Sequence, residues 1–169
     1  MLTVLSIGHF PPGARVTFGG LDAVVTVSSN GIIFARVPDN GAAAGPVDVA
    51  VIRPDGRADT LAGAFTYVPV AITPSTLSIA AGAPMTVSWV NPVDWYNDFF
   101  TDGLSLHRVG DQTALPVWRG DVGTATGAYS LLAPVEPGAY QFRFFVDSQR
   151  VLAGVSQTII VTAAPEGDR

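Results

Sequence analysis

The chain of 169 residues contains no cysteine, no lysine, and only two histidines and two methionines. Without cysteine it has no disulfides, no thiolate nucleophile and no thiolate metal site. Its apolar runs fall short of the roughly 18 residues that a membrane-spanning helix needs, so no membrane insertion is expected. Charged residues make up only 14% of the chain, and all the basic ones are arginine, a residue suited to bidentate and stacked contacts. A formal charge of −5 and a pI near 4.7 leave no clustered positive charge, which excludes nucleic acid as a partner. The opening MLTVLSIG has no basic residue before Arg15 and reads as a strand, not a signal peptide.

Helix signals are nearly missing as well. What is present is punctuation: 18 glycines and 13 prolines separate short runs of Val, Ile, Thr and aromatics. This is the pattern of a β-sandwich or barrel. Strands are expected near 2–7, 14–19, 22–28, 31–37, 46–53 and 59–67, with turns at Pro12-Gly13, Gly19-Gly20, Asn30-Gly31, Asp39-Asn40-Gly41 and Asp55-Gly56. The stretch VPVAITPST at 68–76 reads as an extended, stiff boundary, because Pro69 and Pro74 cannot donate to a ladder. Beyond it, strands are expected near 76–80, 84–90, 103–109, 115–119, 127–132, 139–147 and 156–163. Alternation assigns faces: Met85, Val87 and Trp89 point to a core, as do Tyr140, Phe142, Phe144 and Val146, while Gln141, Arg143, Phe145 and Asp147 share the opposite side. The expected fold is all-β, two tandem immunoglobulin-like sandwiches at 1–69 and 70–169. The second carries net −4 of the charge.

Two resemblances support that division. SIGHFPPGARVTFGGLDA, IIFARVP, AGPVDVAVIRPDGR and GAFTYV, across about residues 3–68, resemble the IPT/TIG family of immunoglobulin-like domains. The resemblance implies a module that spaces or binds, as in surface receptors, adhesins, some polysaccharide-acting enzymes and phage virion proteins. It also implies an extra first strand, an I-x-P-x-x-G segment, which this sequence lacks, leaving an edge open to pairing with another chain or to cover by the second domain. AAGAPMTVSWV, DGLSLHRVGD and EPGAYQFRFFVDSQRVLAGVSQTIIV, across about 76–162, resemble a bacterial Ig- or fibronectin-like module. There Tyr140, after Pro137-Gly138, takes the place of a tyrosine corner.

No catalytic set is legible. His9 and His107 are far apart in sequence, His107 reads as a half-exposed strand histidine, and no G-x-S-x-G context accompanies either. Glu136 in the turn VEPG has no facing carboxylate of the kind glycoside hydrolysis needs. The chain is therefore expected not to be an enzyme and to need no cofactor. The stretch NPVDWYNDFFTDG at 91–103 is the candidate site, since turn residues carry Trp95, Tyr96, Phe99 and Phe100. Those aromatics either cap the sandwich, anchor a protein partner inside a polar rim, or stack on a glycan. Asp94, Asn97, Asp98 and Asp102 offer oxygen ligands to calcium, but their spacing is not that of an EF-hand, so calcium is the alternative to no metal at all. The functional expectation is a structural or adhesive component of an extracellular assembly. It would be a phage virion protein (capsid decoration or tail) or a surface filament or adhesin subunit. Its partners would be copies of itself or other subunits. A carbohydrate-binding module is the alternative.

Overall fold

The computed structural model describes residues 2–5, 10–27, 32–92, 102–111, 115–146 and 151–165, and every regular element among them is a β-strand. The chain divides into two compact units, Met1–Val68 and Pro69–Arg169.

Unit 1 holds β1 (Leu2–Leu5), β2 (Arg15–Phe18), β3 (Leu21–Asp22), β4 (Val24–Val27), β5 (Ile33–Arg36), β6 (Gly45–Ile52) and β7 (Ala58–Tyr67). They form a three-stranded sheet, β1-β5-β4, and a four-stranded sheet, β3-β2-β6-β7, all antiparallel. Val16 and Phe18 of β2, Ile33 and Ala35 of β5, and Val49 and Val51 of β6 form the buried core. The i, i+2 spacing in each pair is the strand period that puts alternate residues on one face. Phe65 closes this core edge-to-face on Phe18, with ring centroids 5.1 Å apart. Between the pairs Val47–Phe65 and Val49–Leu61 the ladder carries a bulge. There the Asp48 carboxylate accepts the Gly63 N–H at 2.8 Å.

Unit 2 holds β8 (Ala71–Pro74), β9 (Ser78–Ala80), β10 (Pro84–Val90), β11 (Asp102–Arg108), β12 (Trp118–Val122), β13 (Thr126–Leu132), β14 (Gly138–Val146), β15 (Val151–Val155) and β16 (Ile159–Thr162). One sheet runs β13-β10-β8; the other runs β12-β11-β14-β16-β9, with β15 also on β14. All pairs are antiparallel except β9 and β16. The core takes Met85, Val87 and Trp89 from one sheet and Leu104, Leu106, Tyr140, Phe142 and Phe144 from the other. These are the faces that alternation assigns. Trp89 satisfies its indole N–H on the Thr124 carbonyl at 3.1 Å.

Three readings of the sequence need correction. The stretch 68–76 is not merely a linker: Ala71–Pro74 pairs with β10, and Val70 and Ile72 lie in the core of unit 2. Its prolines mislead because an edge strand needs its N–H groups on one side only. The strand expected at 115–119 lies instead at Trp118–Val122. Leu115 and Val117 are exposed, and the inward positions fall on Trp118 and Val122. The strand expected at 156–163 begins only at Ile159, and a strand not expected, Val151–Val155, precedes it across the buried Ser156. Its hydroxyl accepts the Phe142 N–H at 2.9 Å, and its own N–H reaches the Phe142 carbonyl at 2.9 Å, so the break leaves no orphaned donor there.

Candidate functional site

Strand registers fix where the aromatic segment is delivered. Val90 pairs with both Thr126 and Ala71, Asp102 with Val122, and Val146 with Val151. The ends of β10, β12 and β14 and the starts of β11, β13 and β15 therefore share one end of unit 2, and 91–101 connects one sheet to the other there. The connections 123–125 and 147–150 leave from that same end. Asp94, Trp95, Tyr96, Asn97, Asp98, Phe99 and Phe100 lie outside the described residues, as does His9. Asn91 at the root of the segment is buried, and its backbone N–H donates to the Ala125 carbonyl at 2.7 Å.

Asp102, at the far root, is described. Its place on β11 is in phase with Leu104 and Leu106, so it stands on the core-facing side opposite the buried Val122. Burial disfavours its ionised form and raises its carboxyl to about 6. Among the described residues no group of three His, Asp or Glu side chains stands close enough to hold a metal ion. The raised carboxyl has a consequence for stability. The unfolded carboxyl ionises near 3.8 and the folded one near 6, so Asp102 favours the fold below pH 4 and that contribution is lost as pH rises through 6. Asp102→Asn is therefore expected to raise the stability of unit 2 at pH 7.5 by about 1 kcal/mol after allowance for solvent screening. Near pH 4 it should change nothing. Urea titrations at the two pH values check this, and equal effects at both would contradict it.

His107 is not half-exposed. It is 7% exposed, on the outer face of β11, and its Nε2 lies 2.9 Å from Ser105 Oγ. Its i, i+2 spacing from Ser105 aligns the two on that face. Burial, joined by the positive charge of Arg143, lowers the imidazole below its usual range, while Asp111 opposes the shift. The dyad has the look of a nucleophile and base, but Ser105 is 1% exposed and its hydroxyl also faces the Arg143 carbonyl at 3.4 Å. The hydroxyl is shut away from solvent, and the bond between the two side chains satisfies buried polar atoms.

Glu136, read as a turn residue without a facing carboxylate, binds Arg108 Nη1 at 2.9 Å. Its carbonyl accepts the Tyr140 hydroxyl at 2.9 Å, which closes the tyrosine corner. This cluster shapes the turn into β14. Sequence reasoning put Arg143 on the outer face but gave it no role. Its register with the buried Ser105 only becomes visible once β11 and β14 are paired.

Two facing sheets, antiparallel but for the β9–β16 pair, a tryptophan-centred core and a tyrosine corner define unit 2 as an immunoglobulin-like β-sandwich, and the chain as an all-β protein of such sandwiches. No family model matches the chain, and no curated protein does. Among solved structures it is similar to the human OSCAR ligand-binding domain, at 17% identity over 88% of this chain and 82% of that one, with a TM-score of 0.36. It is also similar to the D0-D1 domain of intimin, at 11% identity over 95% and 88%, TM-score 0.38. A third is the Bacteroides ovatus SGBP-B in complex with a mixed-linkage heptasaccharide, at 12% identity over 89% of this chain and 40% of that one, TM-score 0.31. These likenesses concern the β-sandwich only and say nothing of activity.

Proposed function

We propose that the chain is a non-enzymatic structural or adhesive component of an extracellular assembly. In this reading unit 1 is an IPT/TIG-type module, unit 2 is a bacterial Ig- or fibronectin-like module, and Trp95, Tyr96, Phe99 and Phe100 make the protein–protein contact. One observation carries the reading: the registers of β10, β11 and β13 bring both roots of the aromatic segment to one end of the sandwich. Connections at such ends are held by a rigid scaffold and are free to vary, which is why sandwich proteins bind through them. Four aromatics among Asp and Asn match the make-up of an interface, apolar anchors within a polar rim. The partners are copies of the chain or other subunits of the assembly, first a phage virion (capsid decoration or tail), then a surface filament or adhesin.

The test is a concentration series by light scattering beside a glycan array, on the intact chain and on Trp95→Ala. Multimers that ignore sugars, lost on Trp95→Ala with the melting temperature unchanged, are the expected result. A stable monomer that binds a defined sugar would replace the reading with a carbohydrate-binding module. A stability loss of several kcal/mol in Trp95→Ala would make that residue a core cap instead.

A further inference from the structure

On the outer face of the larger sheet of unit 2 stands a cation with no counter-ion among the described residues. Arg143, in the middle of β14, is half-buried, with Ser105 of β11 on one side and Val155 of β15 on the other. Gln141 and Phe145, two residues away along the strand, share its face and are also half-buried. Other arginines in this chain find carboxylates: Arg15 reaches Asp22 at 2.6 Å, Arg53 reaches Asp59 at 2.7 Å and Arg108 reaches Glu136 at 2.9 Å. Among the described residues no carboxylate lies within ion-pair distance of Arg143. Its charge acts instead on buried His107, whose protonation it opposes.

A partly desolvated guanidinium left uncompensated is costly, and an incoming carboxylate removes that cost through two parallel hydrogen bonds. The setting also indicates the kind of ligand. The Ser105 hydroxyl is taken up by His107 and the Arg143 carbonyl, and the Gln141 amide donates to Thr158 Oγ1 at 3.1 Å. The hydroxyls of a sugar would meet few open hydrogen-bonding groups here. Phe145 and Val155, the latter 39% exposed, offer apolar contact beside the charge. An arginine set between apolar side chains is the make-up of a protein-interface hot spot. In a chain of net charge −5 it is also a place where an acidic partner meets attraction instead of repulsion.

We propose that Arg143 is the anchor of a second binding surface, taking an Asp or Glu side chain of a protein partner between Phe145 and Val155. The proposal rests on the protein-contact reading above but uses the sheet face of unit 2, not its aromatic end. The test follows the Arg143 Nε–Hε signal by NMR in the full chain, titrated with acetyl-Val-Glu-Val-amide, its Gln counterpart and glucuronate. The Glu peptide is expected to shift that signal, to weaken with added salt and to bind at least tenfold more tightly than the Gln peptide. Arg143→Gln should abolish the difference between the peptides with the melting temperature unchanged, and Arg143→Lys should keep part of it. Equal binding of the two peptides overturns the proposal, and so does full binding by Arg143→Gln. Glucuronate shifting the signal where the Glu peptide does not would overturn the protein assignment. If Arg143→Gln fails to fold, the peptide comparison on the unaltered chain still decides. Trp95→Ala should leave every titration unchanged, so failure here and failure of the assembly test are separable.

Discussion

Gly127→Ala is expected to destabilise unit 2 by about 3 kcal/mol, the upper end of the usual cost of overpacking. Gly127 on β13 is the direct cross-strand partner of Trp89 on β10, and the indole lies over it. A methyl group at 127 would stand 2.4 Å from Trp89 Cζ2 and 2.7 Å from Cη2. The ring has nowhere to retreat. It is 5% exposed, its N–H is tied to the Thr124 carbonyl, and its centroid is 5.3 Å from that of Tyr129. Tyr129 is itself held edge-on by Trp118 at 5.2 Å, and Trp118 by Phe142 at 6.1 Å. The measurement is urea unfolding followed by tryptophan fluorescence, which reports unit 2 alone because Trp89, Trp95 and Trp118 all belong to it. Trp89→Phe removes the atoms that clash. In that background Gly127→Ala should cost less than half as much, a coupling of at least ~1 kcal/mol for two residues in contact. A cost below ~0.5 kcal/mol, or no coupling, would mean that the Trp89–Gly127 contact does not set the core.

That contact also shows where the sequence speaks and where it stops. The core face of β10 is legible because Met85, Val87 and Trp89 alternate with Thr86 and Ser88, and the period of 2 is local. The tyrosine corner was expected from the resemblance to a bacterial Ig- or fibronectin-like module, and the bond that closes it is short in sequence, from Tyr140 to the Glu136 carbonyl. The need for glycine at 127 is not legible, because the obstacle is a ring 38 positions earlier in the chain. His107 failed in the same way. Alternation puts it opposite Leu106, on the side usually left to water. It is buried, with Ser105 bonded to it and Gln141 of the paired strand opposite it. The faces of strands follow from nearest neighbours in sequence; compensation of charge and polarity across strands depends on register, which only the fold supplies.

The same limit explains the candidate site. Residue types alone single out Trp95, Tyr96, Phe99 and Phe100, because aromatics among turn residues break the usual polarity of connections. Their delivery to one end of unit 2 needed the ladder pairs at Val90 and Asp102. Asp102 is a partial case. Its carboxyl was grouped with possible calcium ligands, whereas its phase with Leu104 and Leu106 turns it toward the core and raises it to about 6. That phase was present in the sequence, in the run Asp102, Leu104, Leu106, but carries meaning only once β11 is known to begin at Asp102.

The stretch 68–76 holds the division between the units but also a strand that was not read, and Gly154→Ala tests that strand's place. If these residues only linked two domains, nothing in unit 2 would depend on them. In the fold, Val70 donates its N–H to the Ala153 carbonyl at 2.7 Å, and Gly154 packs directly under the Val70 carbonyl. A Cβ at 154 would lie 2.5 Å from that oxygen, 3.1 Å from Val70 Cβ and 3.3 Å from Ile72 Cδ1. The nearest obstacle is backbone, so no rotamer relieves it, and the strand must be pushed off the sheet edge. The expected loss is about 2–3 kcal/mol from overpacking, with the Val70 hydrogen bond weakened as well. Hydrogen exchange at Val70 should quicken in the variant by at least tenfold, while exchange in β14 follows only the global change. Gly123→Ala, where an added methyl meets nothing within 4 Å, is the control and should fall within about 0.5 kcal/mol of the parent. An effect at 154 no larger than at 123 would return Val70 and Ile72 to the role of linker. A large effect at 154 makes β8 a structural strand of unit 2, so that a unit 2 begun after Pro74 would lack part of its core, not a tether.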